Sequence, residues 1–93
     1  MSQNTQNPYF YTIDGFTLQI VGATYISIYV ESVTGGDSAQ VANDVTGQFI
    51  NVPTGCVLEL SPDSGNTLQS LTIQQNGTSL VYVTMFGGTS TIL

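Results

Sequence analysis

The sequence predicts an all-β protein, a small antiparallel β-sandwich or jelly-roll-like barrel of about eight short strands. Short runs of alternating apolar and polar residues recur along the chain, and they are rich in β-branched and aromatic residues. Clusters of Gly, Pro, Asn and Asp separate these runs. Helical periodicity is almost absent. A length of 93 residues fits one domain.

The chain begins with a polar, uncharged segment. This segment predicts a flexible N-terminal arm over residues 1–8, followed by a single β-sandwich domain over residues 9–93. It lacks the apolar run of a secretory signal, and no run in the chain approaches the length of a membrane helix. We expect the arm to attach the protein to a larger assembly through Ser2, Gln3, Asn4, Thr5, Gln6, Asn7 and Pro8.

The first strands are predicted at residues 9–13, 16–21 and 24–33. Asp14-Gly15 separates the first two strands. Because an Asp-Gly pair favours a type I′ turn, with positive φ at both central residues, it predicts a tight hairpin here.

The second half of the chain continues this pattern, with strands predicted at residues 39–42, 48–52, 56–60, 68–75, 80–86 and 89–93. Asn76-Gly77 is the second strong hairpin signal. We therefore expect strand 70–75 to pair antiparallel with strand 78–83.

The alternation assigns one face of each strand to the core. In the longest run, Ile26 and Ile28 share the inward face, while Tyr25 and Tyr29 share the outward face. Cys56, the only cysteine, is expected to be buried as a small hydrophobic residue, and the lack of disulfides favours a reducing cytosol. The residues expected in the core are Phe16, Leu18, Ile20, Ile26, Ile28, Val30, Leu58, Leu60, Leu71, Ile73, Val81 and Val83.

The chain contains no lysine, arginine or histidine, and its formal net charge is −6. Average usage would give a chain of this length about a dozen basic side chains. Because none is present to neutralise phosphates, we expect no nucleic-acid binding and no basic membrane anchor. Without histidine, the usual catalytic triads and zinc sites lack a required group. We therefore expect no catalytic, cofactor-binding or metal-binding residues and no enzymatic activity.

The six acids leave two alternatives to this interpretation. Asp37 and Asp44 flank a weak strand and are candidate calcium ligands, but the chain has no D-x-[DN]-x-[DN]-G loop. Glu31 and Glu59 are a candidate carboxylate pair for glycoside hydrolysis. Solvated side chains on loops and strands are the expected role of all four.

Tyr25 and Tyr29 share an otherwise polar strand face, and the chain ends in the apolar pair Ile92-Leu93. The predicted core is small and has neither a disulfide nor a tryptophan, so association of copies is an expected source of stability. We expect Tyr25, Tyr29, Ile92 and Leu93 to contribute to a contact between copies, because Tyr is enriched at interfaces. A sugar-stacking platform is the alternative role for the tyrosines.

Four segments together resemble a known class of proteins: residues 25–33 (YISIYVESV), 52–60 (VPTGCVLEL), 68–73 (LQSLTI) and 81–85 (VYVTM). Preceded by a short polar arm, these segments resemble, in their pattern of short strands and turns, the small all-β virion proteins of tailed bacteriophages, the capsid decoration and head-fibre class. The resemblance covers about residues 16 to 86. It implies a β-barrel or jelly roll, often trimeric, seated on the capsid by its arm or its base, with no catalytic residues.

The expected function is therefore that of a non-enzymatic structural virion protein. Its expected partners are other copies of itself, as a trimer, and the major capsid protein or another virion protein. It would be made in the host cytoplasm and displayed on the virion. Two alternatives stay open: an extracellular module that binds carbohydrate or a host surface, and a subunit of an extracellular β filament.

Overall fold

The computed structural model describes residues 7–35 and 37–93, and in this part of the chain nine strands form two antiparallel sheets. The predicted all-β sandwich is confirmed. The strands are β1 Pro8–Ile13, β2 Thr17–Val21, β3 Tyr25–Val30, β4 Ser38–Asn43, β5 Phe49–Pro53, β6 Val57–Leu60, β7 Leu71–Asn76, β8 Val81–Phe86 and β9 Thr89–Ile92.

The strand order defines the topology of the sandwich. Sheet I has the order β1-β8-β3-β6, and sheet II has the order β5-β4-β7-β2-β9. The pairs β1–β8, β2–β7, β3–β6 and β4–β5 are nested, as in one long hairpin that has folded over on itself. This nesting is the arrangement of a jelly roll, to which β9 adds a strand beside β2.

Both predicted tight hairpins are wrong. β1 lies in sheet I and β2 in sheet II, while β7 lies in sheet II and β8 in sheet I, so neither pair of neighbours is hydrogen-bonded. Only the glycines have the expected positive φ, 82° at Gly15 and 122° at Gly77; no non-glycine residue of the described chain does, so neither turn is of type I′. In the nested topology these turns are corners between the two sheets, and local sequence does not distinguish a corner from a hairpin.

The core lies between the sheets and agrees with the predicted alternation. Ile26 and Ile28 are fully buried, so the register predicted for β3 is correct. Of the expected core residues, Phe16, Leu58 and Leu60 are only partly buried against the core, the last two because β6 is an edge strand. The core also contains residues that were not expected there: Ile13, Ala23, Ala39, Val41, Val52 and Met85.

Two further expectations need correction. Cys56 is exposed, because it lies in the turn between β5 and β6 rather than on a strand, although its carbonyl still accepts a hydrogen bond from the Val30 amide at 3.2 Å. Pro8 is part of the domain and not of the arm, since it opens β1 opposite Phe86. The first position of an edge strand tolerates a residue without an N–H group. Asn7 is exposed, and Ser2, Gln3, Asn4, Thr5 and Gln6 lie outside the described residues.

Candidate functional site

The outer face of sheet I carries aromatic side chains on β1, β3 and β8 and an aliphatic side chain on β6, with polar residues between them. Strand alternation turns every second residue outward, and the register aligns these residues across four strands. The face comprises one row of Pro8, Phe86 and Tyr25, a second row of Phe10, Thr84, Ser27 and Glu59, and a third row of Thr12, Tyr82, Tyr29 and Val57.

Two aromatic pairs bridge β3 and β8 on this face. The ring centroids of Tyr29 and Tyr82 lie 6.1 Å apart with planes tilted by 21°, and those of Tyr25 and Phe86 lie 5.8 Å apart at 57°. Phe10 on β1 is 72% exposed. Such pairs stabilise neighbouring strands by about 0.2–1 kcal/mol each, yet Tyr29 and Tyr82 remain 37% and 39% exposed.

The structure gives the positions of the residues that the sequence singled out, and their role as an interface stays a prediction. Tyr25 and Tyr29 do share the outward face of β3. Phe10, Tyr82 and Phe86 complete the face but were not predicted as site residues. The alternation of β8 in the sequence places Tyr82 and Phe86 on one strand face. That they lie beside Tyr29 and Tyr25 follows only from the pairing of β3 with β8.

The structure does not bring Ile92 and Leu93 to the tyrosines. β9 is the edge strand of sheet II, where it pairs with β2 of the same chain, and the Leu93 amide donates to Thr17 O at 2.9 Å. Ile92 and Leu93 are 61% and 63% exposed. They lie apart from the outer face of sheet I.

At this edge, β9 faces β1 across an open side of the sandwich, the β1/β9 side. The hydroxyl groups of Tyr11 and Ser90 form a hydrogen bond that ties the two edge strands together. A recess of about 280 Å³ lies here, lined in part by Tyr9, Tyr11 and Ser90. Tyr9 is half exposed. This side therefore combines a polar tie with exposed apolar side chains.

The opposite side of the sandwich, between the edge strands β5 and β6, is also open. An apolar groove of about 180 Å³, the β5/β6 groove, enters the molecule there. Phe49 and Ile50 are 57% and 51% exposed at its rim. The apolar residues that line it are Val41, Phe49, Ile50, Leu58, Leu60 and Leu71.

The carboxylates are concentrated at the two ends of the sandwich. Among the strands of the described residues, Glu59 is the only charged side chain. It lies on the outer face of sheet I. The other five acids lie in loops, three at one end and two at the other: Asp14, Glu31 and Asp37, and Asp44 and Asp63.

Asp37 and Asp44 do not form a joint calcium site, because they lie at opposite ends of β4. Asp37 accepts hydrogen bonds from the Thr78 amide at 2.7 Å, the Thr78 hydroxyl at 2.8 Å and the Ser79 amide at 3.1 Å. The Thr78 amide, more than any other group, holds the pKa of Asp37 below its usual value. Asp37 is therefore a hydrogen-bond acceptor for the turn after β7 and not a simply solvated side chain.

Asp44 caps the other end in a similar way. Its carboxylate accepts hydrogen bonds from the Ser70 hydroxyl at 2.6 Å and the Thr72 hydroxyl at 2.7 Å, with Gln19 further away at 3.4 Å. These donors, led by Ser70, lower the pKa of Asp44. The carboxylate thus ties the β4–β5 turn to the start of β7.

The candidate glycosidase pair is not supported by the spacing. Glu59 pairs with Ser27 on β3, and Glu31 lies four residues further along the chain. That offset is about 13 Å at strand spacing. Glycosidase carboxylates are about 5–10 Å apart. Glu31 also accepts a hydrogen bond from the Leu80 amide at 3.3 Å.

Two further observations concern residues 7–35 and 37–93. No group of three or more His, Cys, Asp or Glu residues is placed there to hold a metal ion. This part of the chain also contains no helix of the length and apolar character needed to cross a membrane.

Asp44→Asn is expected to lower the melting temperature near neutral pH and to have a smaller effect in acid. Because the folded-state pKa lies below the ordinary value of 3.8, ionised Asp44 stabilises the fold above that pH. The contribution is lost as the pH falls through the folded-state pKa. Asp63→Asn, in an exposed loop, makes the same change in net charge and is the matched control. Thermal denaturation at about pH 7 and about pH 2.5 measures the difference. An Asp44→Asn effect of equal size at both pH values would contradict this assignment.

No family model matches this sequence, and neither a curated protein nor a solved structure gives a significant match to it. The resemblance to phage virion proteins therefore has only the quoted segments behind it.

Proposed function

We propose that this protein is a non-enzymatic structural subunit that associates with copies of itself and is carried on the outer surface of a virion, as a capsid decoration or head-fibre protein. The observation that carries the proposal is the distribution of surface chemistry. The outer face of sheet I and the two open edges of the sandwich, here called its sides, expose aromatic and aliphatic side chains. Five of the six carboxylates lie instead at the two ends of the sandwich.

This distribution favours association through the sides. The chain has no cationic side chain, so contacts between the ends of two copies would bring carboxylates together without compensation. Contacts between the sides bury apolar area instead, at about 25 cal/mol per Å². A standard interface that buries about 800 Å² of apolar surface in total gains about 20 kcal/mol before association costs of about 4–15 kcal/mol.

The remaining charge repulsion is small by comparison. Two carboxylates about 10 Å apart in water repel each other by about 0.4 kcal/mol. Salt screens this further, with a Debye length of about 8 Å at physiological ionic strength. Copies of a chain with a charge of −6 should therefore associate in salt and dissociate more readily in its absence.

Display on a virion is supported by two further arguments. Jelly rolls are frequent among viral capsid proteins and lectins, although this is an analogy of fold. A surface without cations also has no affinity for the packaged nucleic acid. The proposed partners are copies of the chain, as a trimer, and a capsid protein bound through the N-terminal arm.

The expected result in solution is a homo-oligomer in about 0.15 M NaCl that shifts toward monomer in about 0.01 M NaCl, because screening weakens carboxylate repulsion. Sedimentation velocity over a range of concentrations measures both states. A protein that stays monomeric at high concentration in the higher salt would refute self-association. Open polymers that lengthen with concentration would favour the filament alternative.

Attachment to the particle is tested separately. Deletion of residues 2–7 leaves Pro8 and β1 intact and is expected to abolish co-sedimentation with particles that lack the protein. Replacement of the same residues by Gly and Ser at equal length controls for chain length. Unchanged binding of the deleted protein would refute attachment through the arm.

A second candidate function is carbohydrate binding on the outer face of sheet I. It is favoured by the stacked Tyr29–Tyr82 pair, which lies beside a row that contains the polar residues Ser27, Thr84 and Glu59. Aromatic faces and neighbouring hydroxyl and carboxylate groups are what sugar recognition requires. A monomer whose tyrosine resonances shift with added glycans, and which loses this response in Tyr82→Ala, would favour this candidate over the structural subunit.

A further inference from the structure

The two open sides of the sandwich are separate apolar surfaces on opposite edges of the molecule. β1 and β9 are the edges of sheets I and II on one side, and β6 and β5 are the edges on the other. β1 lies against β9, because the Tyr11 and Ser90 hydroxyl groups are hydrogen-bonded. β5 lies against β6, because residues of both strands line the β5/β6 groove. Each molecule therefore has two apolar sides that do not adjoin.

We propose that copies associate head to tail, with the β1/β9 side of one copy seated in the β5/β6 groove of the next. This inference rests on the self-association proposed above and specifies its contact. The occupant of the groove is a second copy of this chain.

The charge distribution identifies the occupant. Within the described residues, β1, β5 and β9 carry no charged side chain, and Glu59 of β6 faces outward from sheet I rather than into the groove. These sides are therefore where two copies of a chain without cations meet with the fewest opposed carboxylates. A basic partner would instead be drawn to the acidic ends.

The edge strands support pairing of this kind. Isolated proteins commonly protect sheet edges with lysine, inward-pointing charges or proline. This chain has no lysine, and its edge prolines, Pro8 and Pro53, are at the first position of β1 and the last of β5. No strand of residues 7–35 and 37–93 pairs with the outer edge of β1 or β5, so backbone donors and acceptors along these edges lie beside exposed apolar side chains.

The number of apolar sides favours a head-to-tail contact over a symmetric one. A two-fold contact joins a surface to the same surface of the partner, so it would cover one side of each copy and leave the other in water. A head-to-tail contact covers both sides with one kind of interface. It gives a ring if the rotation between copies closes and a filament if it does not.

The test uses two variants that each place a carboxylate on one side only. Ile50→Asp disables the groove, and Ile92→Asp disables the β1/β9 side; both positions are exposed, at 51% and 61%, so the fold should tolerate them. Each variant alone is expected to be a monomer. Their mixture is expected to give a one-to-one heterodimer, because the intact side of each fits the intact side of the other.

The controls separate this inference from the proposed function. The double variant should bind neither single variant, and Tyr82→Ser, on the outer face of sheet I, should leave the wild-type oligomer intact. Sedimentation velocity gives the masses, and far-ultraviolet circular dichroism checks folding. Ile50→Ser and Ile92→Ser replace the aspartates if either variant loses its native spectrum.

The outcomes are distinct. An oligomer that survives both aspartates, or a mixture that gives no heterodimer, overturns the head-to-tail contact while self-association stands. An oligomer broken by Tyr82→Ser alone overturns it as well and identifies the outer face of sheet I as the interface. A monomeric wild-type protein overturns both proposals.

Discussion

Gly88→Ala is expected to remove most of the stability of the fold. Gly88 lies in the corner between β8 and β9 with a φ of 76°. A Cβ atom there would lie 2.6 Å from Val21 O, 2.7 Å from Ala23 N and 2.9 Å from Ala23 Cα. All three are backbone atoms, which cannot rotate away as a side chain would. The β8–β9 corner and the chain that leaves β2 would have to separate.

The magnitude follows from two costs. Left-handed backbone costs an alanine about 1–2 kcal/mol, and overpacking adds about 1–3 kcal/mol, so the loss is about 2–5 kcal/mol. Natural domains have about 5–15 kcal/mol in total, and small ones lie near the lower limit. We therefore expect a large shift of the urea midpoint or a protein that is partly unfolded without denaturant.

Gly15→Ala is the matched control for the backbone cost alone. Gly15 has a φ of 82°, and no atom lies within 4 Å of the position of its Cβ. Its loss should be about 1–2 kcal/mol, the cost of left-handed backbone. Urea denaturation of both variants gives the two free energies of unfolding. Equal losses at positions 15 and 88 would show that the close approach at Gly88 is relieved by a small movement.

The core could be predicted from sequence because burial follows local alternation. In β3, Ile26, Ile28 and Val30 face inward wherever the strand is placed in the sandwich. Sheet assignment could not be predicted in this way. β1 pairs with β8, more than sixty residues away. The residue types of Asp14-Gly15 do not indicate that the chain crosses to the other sheet at this turn. The Asp-Gly pair is compatible with a hairpin and with a corner, and here only Gly15 takes a positive φ, so the turn is not the type I′ turn of a hairpin.

The candidate site shows the same limit. The outward direction of Tyr25 and Tyr29 follows from alternation, but their contacts with Phe86 and Tyr82 exist only because β3 lies beside β8. The misplacement of Cys56 has a related cause. Its alternation with Leu58 and Leu60 is regular, yet β6 begins only at Val57. Pattern alone does not give the end of a strand.

Gly77→Ala is the second change that is expected to lower the stability of the fold strongly. The reason is the close approach of Asp37 to Gly77 rather than a hairpin turn. Gly77 has a φ of 122°, and its Cβ would meet the carboxyl group of Asp37 and lie 2.8 Å from the Asp37 Cβ. Backbone strain of this kind costs about 1–3 kcal/mol. Asp37 would also have to leave its position, which breaks its hydrogen bonds to Thr78 and Ser79.

A double-variant cycle separates the two contributions. In an Asp37→Ala background the carboxyl group is gone, so Gly77→Ala should cost only the backbone strain. The fall in melting temperature caused by Gly77→Ala is therefore expected to be larger in wild type than in Asp37→Ala. Equal falls would contradict the contact and leave the positive φ as the whole reason for glycine. Asn76-Gly77 is thus explained by a carboxylate forty residues earlier in the chain, which holds the corner between β7 and β8 against the loop before β4.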